Sequence, residues 1–317
     1  MARSEGRDVG RISAAVDRNY DQFHGERQAT FGFFEAASPE AAVGLLDAAV
    51  AWAGEQGVEV VRGPMSFTTN DECGLLVDGF QYRPAILMPY NPPQYAPWIE
   101  GAAFTKAKDL YAFRMPVPST PPAVFARIAE KVRRKERVSL RVIDMKRFAQ
   151  ELDRVKEVYN SAWDRNWGFV PMTDAEIDHM AAQLKPAVVS RLIQFAEIDG
   201  ETVGFSLIIP DVNVALAPLR GRLFPFGIVR LLWSLPRIRV IRLMALGVKA
   251  GFRRRGIESL LIEGMVNQTS AMGYTGCDVG WTLEDNDLVN RLIQEMGGER
   301  YKTYRIYERR IPGPTPP

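Results

Sequence analysis

The sequence contains few of the residues from which disulfide frameworks and metal sites are built. Among its 317 residues there are two cysteines, Cys73 and Cys277, and two histidines, His24 and His179. Two cysteines are too few for a disulfide framework and suit a reducing compartment, so we expect a cytoplasmic protein. The two histidines show no metal-ligand spacing, so we expect no bound metal.

Long apolar runs and a strong net charge are also missing. No apolar run reaches the ~18 residues of a membrane-spanning helix, and the polar residues 1–11 lack a signal-peptide core. The formal net charge is only +2, which predicts no general affinity for nucleic acid. Basic residues cluster locally instead, at 131–137 and 253–255. We interpret the first cluster as the solvated end of a helix, with nucleic-acid contact as the alternative.

The stretch from Arg242 to Tyr274 organises the chain. An apolar run typical of a buried strand ends at Gly251, three arginines and Gly256 follow, and an apolar helical stripe comes next. The first N–H groups of a helix have no partner inside the helix, and they favour an anion. Because Gly256 has no side chain that would keep a phosphate away, the stretch predicts a pyrophosphate site. The stripe consists of Ile257, Leu260, Leu261 and Met265.

The residues Val248–Glu258, VKAGFRRRGIE, resemble the acyl-CoA signature of the GNAT N-acyltransferases. In that family a strand ending in valine leads into Arg/Gln-x-x-Gly-x-Gly/Ala. Glu258 departs from the pattern, since its carboxylate stands where a tiny residue is usual and could crowd or repel a phosphate. The resemblance implies that acetyl-CoA or another acyl-CoA binds as co-substrate. The residues expected to bind it are Gly247, Val248, Arg253, Arg254, Arg255, Gly256, Ile257, Glu258 and Asn286.

The order of elements after the signature supports the resemblance. A strand at 275–283, a helix opened by residues 284–286 and ended by Gly297–Gly298, and a last strand at 302–311 are expected. We therefore predict an α/β (α+β) protein with tandem GNAT-like folds, in which helices flank a mixed central sheet. The expected bacterial origin rests on residues 63–95, which resemble a bacterial group of double-GNAT proteins.

The first part of the chain repeats the order strand, helix, strand. Strands are expected at Val9–Val16, Ala29–Glu35 and Val58–Arg62, with a helix from Pro39 to about Gly57 that Ser38 caps. Residues 17–27 are interpreted as a loop, and residues 98–115 as a closing hairpin. The first elements of a whole unit are missing before the first strand. We therefore expect a partial, degenerate copy that either is truncated or leans on the other half. Its turn at residues 35–38 lacks arginine and glycine, so this copy is expected to bind no CoA.

The predicted domains follow from these patterns. Residues 1–117 form the partial GNAT-like domain, residues 118–136 form a linker and connecting helix, and residues 137–317 form the complete domain. The proline-rich run 116–122 marks the boundary. Within the complete domain, Thr173 and Glu176 form a capping box, and the turn at residues 199–200 predicts a hairpin.

The resemblance implies an enzyme that transfers an acyl group from acyl-CoA to an amine by direct attack in a ternary complex. The N–H near Val248 would polarise the thioester. The place of the usual acid tyrosine is taken by Ile293. The catalytic candidates are therefore Glu284 or Asp285 as base, with helix capping as the alternative for both, and Tyr301 and Tyr304 as acids. The expected acceptor is a small-molecule or peptide amine. A non-catalytic scaffold or CoA-binding protein is the alternative function.

Residues 211–235 form an insertion before the signature strand, and such a long connection favours a functional role. We predict that Phe226 and Trp233 bind substrate along the cleft. The segment has too many apolar side chains for a free loop, so protein, a membrane surface, a partner or a ligand must cover them. Packing against the N-terminal half is the alternative. The sequence leaves the oligomeric state open.

Overall fold

The computed structural model describes residues 1–311. Within this range the chain forms twelve strands and ten α-helices. The strands are β1 (Ala2–Ser4), β2 (Arg7–Val16), β3 (Ala29–Ala36), β4 (Val60–Gly63), β5 (Leu75–Asp78), β6 (Thr105–Pro116), β7 (Ser139–Val142), β8 (Ile193–Ile198), β9 (Glu201–Pro210), β10 (Val240–Val248), β11 (Gly276–Leu283) and β12 (Glu299–Arg310). The helices are α1 (Arg18–His24), α2 (Pro39–Glu55), α3 (Tyr95–Gly101), α4 (Ala123–Glu136), α5 (Phe148–Ala162), α6 (Asp174–Leu184), α7 (Asn213–Leu216), α8 (Gly227–Ser234), α9 (Ile257–Ala271) and α10 (Asp287–Glu295).

All twelve strands belong to one sheet. Eleven of them lie in the order β1-β2-β3-β4-β12-β6-β11-β10-β9-β8-β7, and β5 pairs with β12 outside this path. The pairs β3–β4 and β10–β11 are parallel, and the other pairs are antiparallel. This is the mixed central sheet that the sequence predicts.

The two halves of the chain exchange strands in the middle of the sheet. The last strand, β12, pairs with β4 of the first half, with Tyr307 opposite Gly63. The strand β6 of the first half lies between β12 and β11, with Phe113 opposite Val279. The strands of the two halves are therefore interleaved, with β6 between β11 and β12. The partial first domain, the complete second domain and their boundaries stay a prediction.

Helices cover both faces of the second half of the sheet. On one face α4 and α9 pack on the strands through a buried cluster that includes Val132, Val248 and Leu261. On the other face α5 packs through a cluster that includes Val158 and Phe205. The strand residues alternate between the two faces, as the period of two along a strand requires.

Several local signals act as predicted. Ser38 caps α2 by accepting the N–H of Ala41, and Thr173 and Glu176 form the capping box of α6. The hairpin of β8 and β9 turns at residues 199–200, where both φ angles are positive.

Two predictions of local structure are wrong. Residues 17–27 are not a loop, because the Asp17 side chain caps the helix α1. Residues 98–115 are not a hairpin, because they contain the end of α3 and the single strand β6.

Candidate functional site

The strands β10 and β11 separate toward their carboxyl ends. Their parallel pairing ends at Leu243 and Val279, although β10 continues to Val248 and β11 to Leu283. Both strands stay paired on their outer sides, with β9 and β6. The N–H of Lys249 bonds to Val203 on the β9 side. Since N–H groups alternate along a strand, the N–H of Val248 lies on the side of the gap.

The turn between β10 and α9 presents unpartnered N–H groups. Gly256 is the N-cap residue of α9, with φ of 85°, and no side chain caps the helix. Arg254 also has a positive φ, of 63°. Within residues 1–311, the N–H groups of residues 254–258 have no hydrogen-bond partner. Such a run of free N–H groups at a helix N-terminus is a cradle for an anion, which fits the predicted pyrophosphate site.

The three arginines of the turn have different surroundings. Arg253 donates to the carbonyl oxygens of Ser161 and Ala162, at 3.1 and 2.8 Å, and to Asp164 at 3.0 Å. It therefore holds the end of α5 against the turn. Arg255 pairs with Glu136 at 3.2 Å and stacks on Phe252. Arg254 is exposed, and it is the arginine of the three with no ion pair among the described residues.

The structure shows a packing requirement for glycine at position 256, whereas the sequence suggested that glycine gives a phosphate access. A Cβ atom at this position would lie 2.7 Å from Ile128 and 2.9 Å from Val132, both on α4. The glycine thus allows α4 to pack against the start of α9. Gly247 is a second close approach, because a Cβ there would lie 2.5 Å from the ring of Trp163. Ile257 is fully buried in the same cluster as Val248.

The other two predicted CoA residues lie at helix starts. Glu258 is half-buried in the first turn of α9, where a carboxylate interacts favourably with the helix dipole. Asn286 is the N-cap of α10 and accepts the N–H of Val289 at 3.4 Å. Both CoA-binding roles stay predictions.

Glu284 directly follows the end of β11, and its backbone N–H donates to Asp109 of β6. Its carboxylate accepts from the Lys106 ammonium at 2.5 Å and from the N–H of Asp109 at 3.0 Å. Burial opposes ionisation of Asp109, but hydrogen bonds from Arg305 and Lys106 outweigh it and lower the pKa of that carboxyl. The capping alternative for Glu284 is wrong, since Asn286 caps the following helix. The role of Glu284 as base stays a prediction.

Tyr301 and Tyr304 border a buried polar cluster. Tyr304 lies opposite Leu110, which also pairs with Leu283, the residue before Glu284. The Tyr301 hydroxyl donates to Asp278 at 2.6 Å, and Arg242 faces the other oxygen of Asp278 at 3.5 Å. Burial raises the pKa of Asp278 and of both tyrosines. Asp278, which accepts from Tyr301, precedes Glu284 by six residues on and just after β11, or roughly 20 Å along a strand. The structure therefore separates Tyr301 from the predicted base, and the buried Tyr304 hydroxyl has no hydrogen-bond partner among residues 1–311.

The sequence analysis missed the charged members of this cluster, Asp278, Arg242 and Lys302. Their signal was a charged residue inside an apolar or alternating strand. Lys302 is fully buried, and burial lowers the pKa of its ammonium to about 8. Charged and polar side chains hold the loop at residues 83–88 over the cluster. Arg242 donates to the carbonyl of Ile86, Asp211 accepts the N–H of Ile86, and Lys302 donates to the carbonyl of Arg83.

A cleft of about 550 Å³ opens beside this cluster. It lies near the amino ends of β10 and β11, and Asp211 and Asn213 at the base of the insertion form part of its wall. Its other polar walls include Arg83, Arg114, Asp278 and Tyr301. A cleft of this size is large enough for a small organic ligand.

The predicted substrate residues of the insertion lie outside this cleft. Phe226 is 80% exposed and Trp233 is 63% exposed. The alternative of packing against the N-terminal half is wrong for α8, of which no residue is buried. It holds for the start of the insertion, where Asp211 and Asn213 bond to Ile86 and Pro84. The substrate-binding role of Phe226 and Trp233 stays a prediction.

Two negative observations concern the part of the chain that the structure describes. Residues 1–311 contain no group of three or more His, Cys, Asp and Glu side chains arranged for a metal ion. They also contain no helix with the length and apolar character needed to cross a membrane.

The single sheet, the separating strands and the helix that starts at an open anion cradle have the arrangement of a tandem GNAT fold. The structure resembles a tandem GNAT protein from the clavulanic acid biosynthesis pathway, with a TM-score of 0.53 and 13% identity, over 99% of this chain and 82% of that one. It also resembles a GCN5-related N-acetyltransferase from Sphaerobacter thermophilus, with a TM-score of 0.51 and 13% identity, over 94% and 76% of the two chains. At these identities the likeness shows the fold.

The chain belongs to the family of bacterial proteins that includes Protein YghO of Escherichia coli and the bacterial ceramide synthase of Caulobacter vibrioides. It is 37% identical to Protein YghO, over 98% of this chain and 81% of that protein. It is 36% identical to the bacterial ceramide synthase, over 98% of this chain and 83% of that protein. No protein-family profile matches the chain.

Proposed function

We propose that this protein is an acyl-CoA-dependent N-acyltransferase whose acceptor is the amine of a long-chain amino alcohol, so that the product is a ceramide-like amide. The observation that carries the proposal is the 36% identity, along 98% of the chain, to a protein named bacterial ceramide synthase. A ceramide is the amide of a fatty acyl group and a long-chain amino alcohol. The proposal thus narrows the expected amine acceptor to a lipid.

The anion cradle at residues 254–258 is the proposed site of the CoA pyrophosphate. Its N–H groups have no partner among residues 1–311, and the Arg254 side chain is exposed beside them. A bound acyl-CoA would supply an activated thioester. The gap between β10 and β11 offers a path from the cradle past Val248, whose N–H is free to donate to a carbonyl oxygen.

The proposed reaction is balanced without a further reactant. The amine nitrogen attacks the thioester carbonyl carbon, the new C–N bond forms, and the C–S bond breaks. The proton that the amine loses balances the charge of the departing thiolate. The contribution of the protein is then mainly to hold the two reactants in position. Glu284 follows the carboxyl end of β11 and stays the candidate for the proton acceptor.

The first experiment measures turnover. The purified chain is mixed with acyl-CoAs from two to sixteen carbons and with sphinganine, and 2-amino-1,3-propanediol serves as the acceptor that lacks the alkyl chain. We expect free thiol and N-acylsphinganine in equal amounts, and no reaction with the short acceptor. Equal turnover of both acceptors would exclude the lipid assignment. If no donor yields an amide, the proposed acyltransferase activity is rejected.

The second experiment measures CoA binding by calorimetry. Arg254→Asn removes the exposed charge, and asparagine tolerates the left-handed backbone that Arg254 adopts. Arg220→Asn is the matched control, because Arg220 is also exposed and has a φ of 48°. We expect weaker CoA binding for Arg254→Asn only. Equal binding of both variants would place the pyrophosphate elsewhere.

A CoA-binding protein without catalysis is the second candidate function. Ile293, at the position of the usual acid tyrosine, is buried against Phe113 and Val279, so no hydroxyl is available there. This candidate predicts CoA binding in the calorimetric experiment together with no turnover for any acceptor. The two experiments therefore separate the two functions.

A further inference from the structure

The insertion before β10 carries a protruding apolar surface, which we call the insertion surface and define as residues Leu223–Trp233. Phe224 is 81% exposed and Phe226 is 80% exposed. On α8 no residue is buried. A helix that is apolar nearly all round is normally covered on all sides. Its other exposed apolar residues are Ile228, Val229, Leu232 and Trp233.

The charged residues along the sequence of the insertion surface and its flanks are all positive. From Val212 to Ile257 the sequence contains no aspartate and no glutamate. The arginines at or beside the surface are Arg220, Arg222, Arg230, Arg237 and Arg239, and all five are exposed. The Arg237 guanidinium lies 3.7 Å from the centre of the Trp233 ring. The surface thus combines aromatic and aliphatic groups with basic groups.

We infer that the insertion surface docks on an anionic lipid bilayer, with Phe224, Phe226 and Trp233 in the interface and the arginines among the headgroups. Basic residues beside an exposed aromatic and aliphatic face are the features by which helices lie in a membrane interface. The inference concerns attachment to a surface only, and it holds whether or not the chain transfers acyl groups.

The charge decides between a bilayer and a second copy of the chain. In a symmetric dimer the same patch meets itself. The arginines of one copy would then face those of the other, and no acidic residue between Val212 and Ile257 would compensate them. An anionic bilayer supplies the opposite charge and covers the apolar side chains together.

The experiment is flotation of the full chain with vesicles of phosphatidylcholine and vesicles that also contain 30% phosphatidylglycerol. We expect binding that needs the anionic lipid and weakens with salt. Phe226→Ser should weaken binding about tenfold, since the buried ring area is lost. Leu288→Ser is the matched control, because Leu288 on α10 is also 80% exposed, and it should bind normally.

The charge arm of the experiment uses Arg222→Gln with Arg230→Gln. Each arginine removed should weaken vesicle binding about fivefold, whereas Arg7→Gln with Arg18→Gln, two exposed arginines of the first half, should not. Light scattering gives the oligomeric state of every variant. Absence of vesicle binding, or equal binding by Phe226→Ser and Leu288→Ser, would overturn the inference. A dimer that Phe226→Ser dissociates, without vesicle binding, would identify the surface as a contact between copies.

Discussion

Lys302 allows a quantitative test of the buried polar cluster. Its ammonium is fully buried. Burial lowers the pKa of this ammonium from 10.5 to about 8, although the negative charges of Asp278 and Asp211 act to raise it. A pKa unit corresponds to about 1.4 kcal/mol. The lowered pKa therefore predicts that the charged form costs the folded state about 3 kcal/mol.

The sign of the pH dependence follows from proton counts. Below pH 8 both folded and unfolded chains hold the proton, and the full cost is present. Between pH 8 and 10.5 only the unfolded chain holds it, so the free energy of unfolding rises by about 1.4 kcal/mol per pH unit. Above the unfolded pKa the cost of the charge is gone.

The perturbation is Lys302→Met, which removes the titration. The variant also loses the hydrogen bond to the Arg83 carbonyl, worth about 1.5–3 kcal/mol for a charged donor. We therefore expect the two chains to differ by less than about 2 kcal/mol at pH 7. Between pH 7.5 and 10, the free energy of unfolding of the wild type should then rise relative to that of the variant by about 2–3 kcal/mol.

The assay is urea unfolding at pH 7, 8, 9 and 10, followed by tryptophan fluorescence. Lys131→Met, on the exposed side of α4, is the control for loss of a surface lysine. The observable is the difference between wild type and variant, in which the titration of all other groups cancels to first order. A difference that stays constant from pH 7 to 10 would refute the reasoning.

Three further predictions follow from named contacts. Glu258→Gln should tighten CoA binding, measured by calorimetry, because it removes a carboxylate next to the anion cradle. It should also lower the free energy of unfolding by about 0.3–1 kcal/mol, measured by urea unfolding, because that carboxylate interacts favourably with the helix N-terminus. Tyr301→Phe should destabilise the fold by about 1–3 kcal/mol because it removes a hydrogen-bond donor from the Asp278 carboxyl. Tyr304→Phe should not, because the buried Tyr304 hydroxyl has no partner among residues 1–311. A larger destabilisation by Tyr304→Phe than by Tyr301→Phe would contradict these contacts. Calorimetry should give one CoA per chain, since the turn after β3 ends in a helix start that Ser38 caps itself, and two sites would be inconsistent with this.

Local signals predicted a large part of the fold. The strand–turn–helix at the signature, the capping residues Ser38 and Thr173, and the hairpin at residues 199–200 depend on residues close in sequence. The two wrong predictions concerned short segments. Helix α1 has seven residues and buries only Tyr20, so its apolar pattern is weak, and α3 begins without a side-chain cap.

For the candidate site too, one part could be predicted from the local sequence and another could not. The anion cradle could be predicted because its parts lie within residues 253–258. The separation of Glu284 from Tyr301 could not, because β11 and β12 are not neighbours; β6 lies between them. Nothing in the local sequence marks which strand will pair with which.

By itself, the sequence determined the class of fold and the position of the open helix start at residues 254–258, because periodicity, glycines and caps act over a few residues. Only the tertiary structure decided the exchange of β6 and β12 between the halves, since the alternation of a strand sets its faces but not its partner. It also decided that α8 stands exposed. Apolar composition requires that a surface be covered, and only packing shows that the described chain leaves it uncovered.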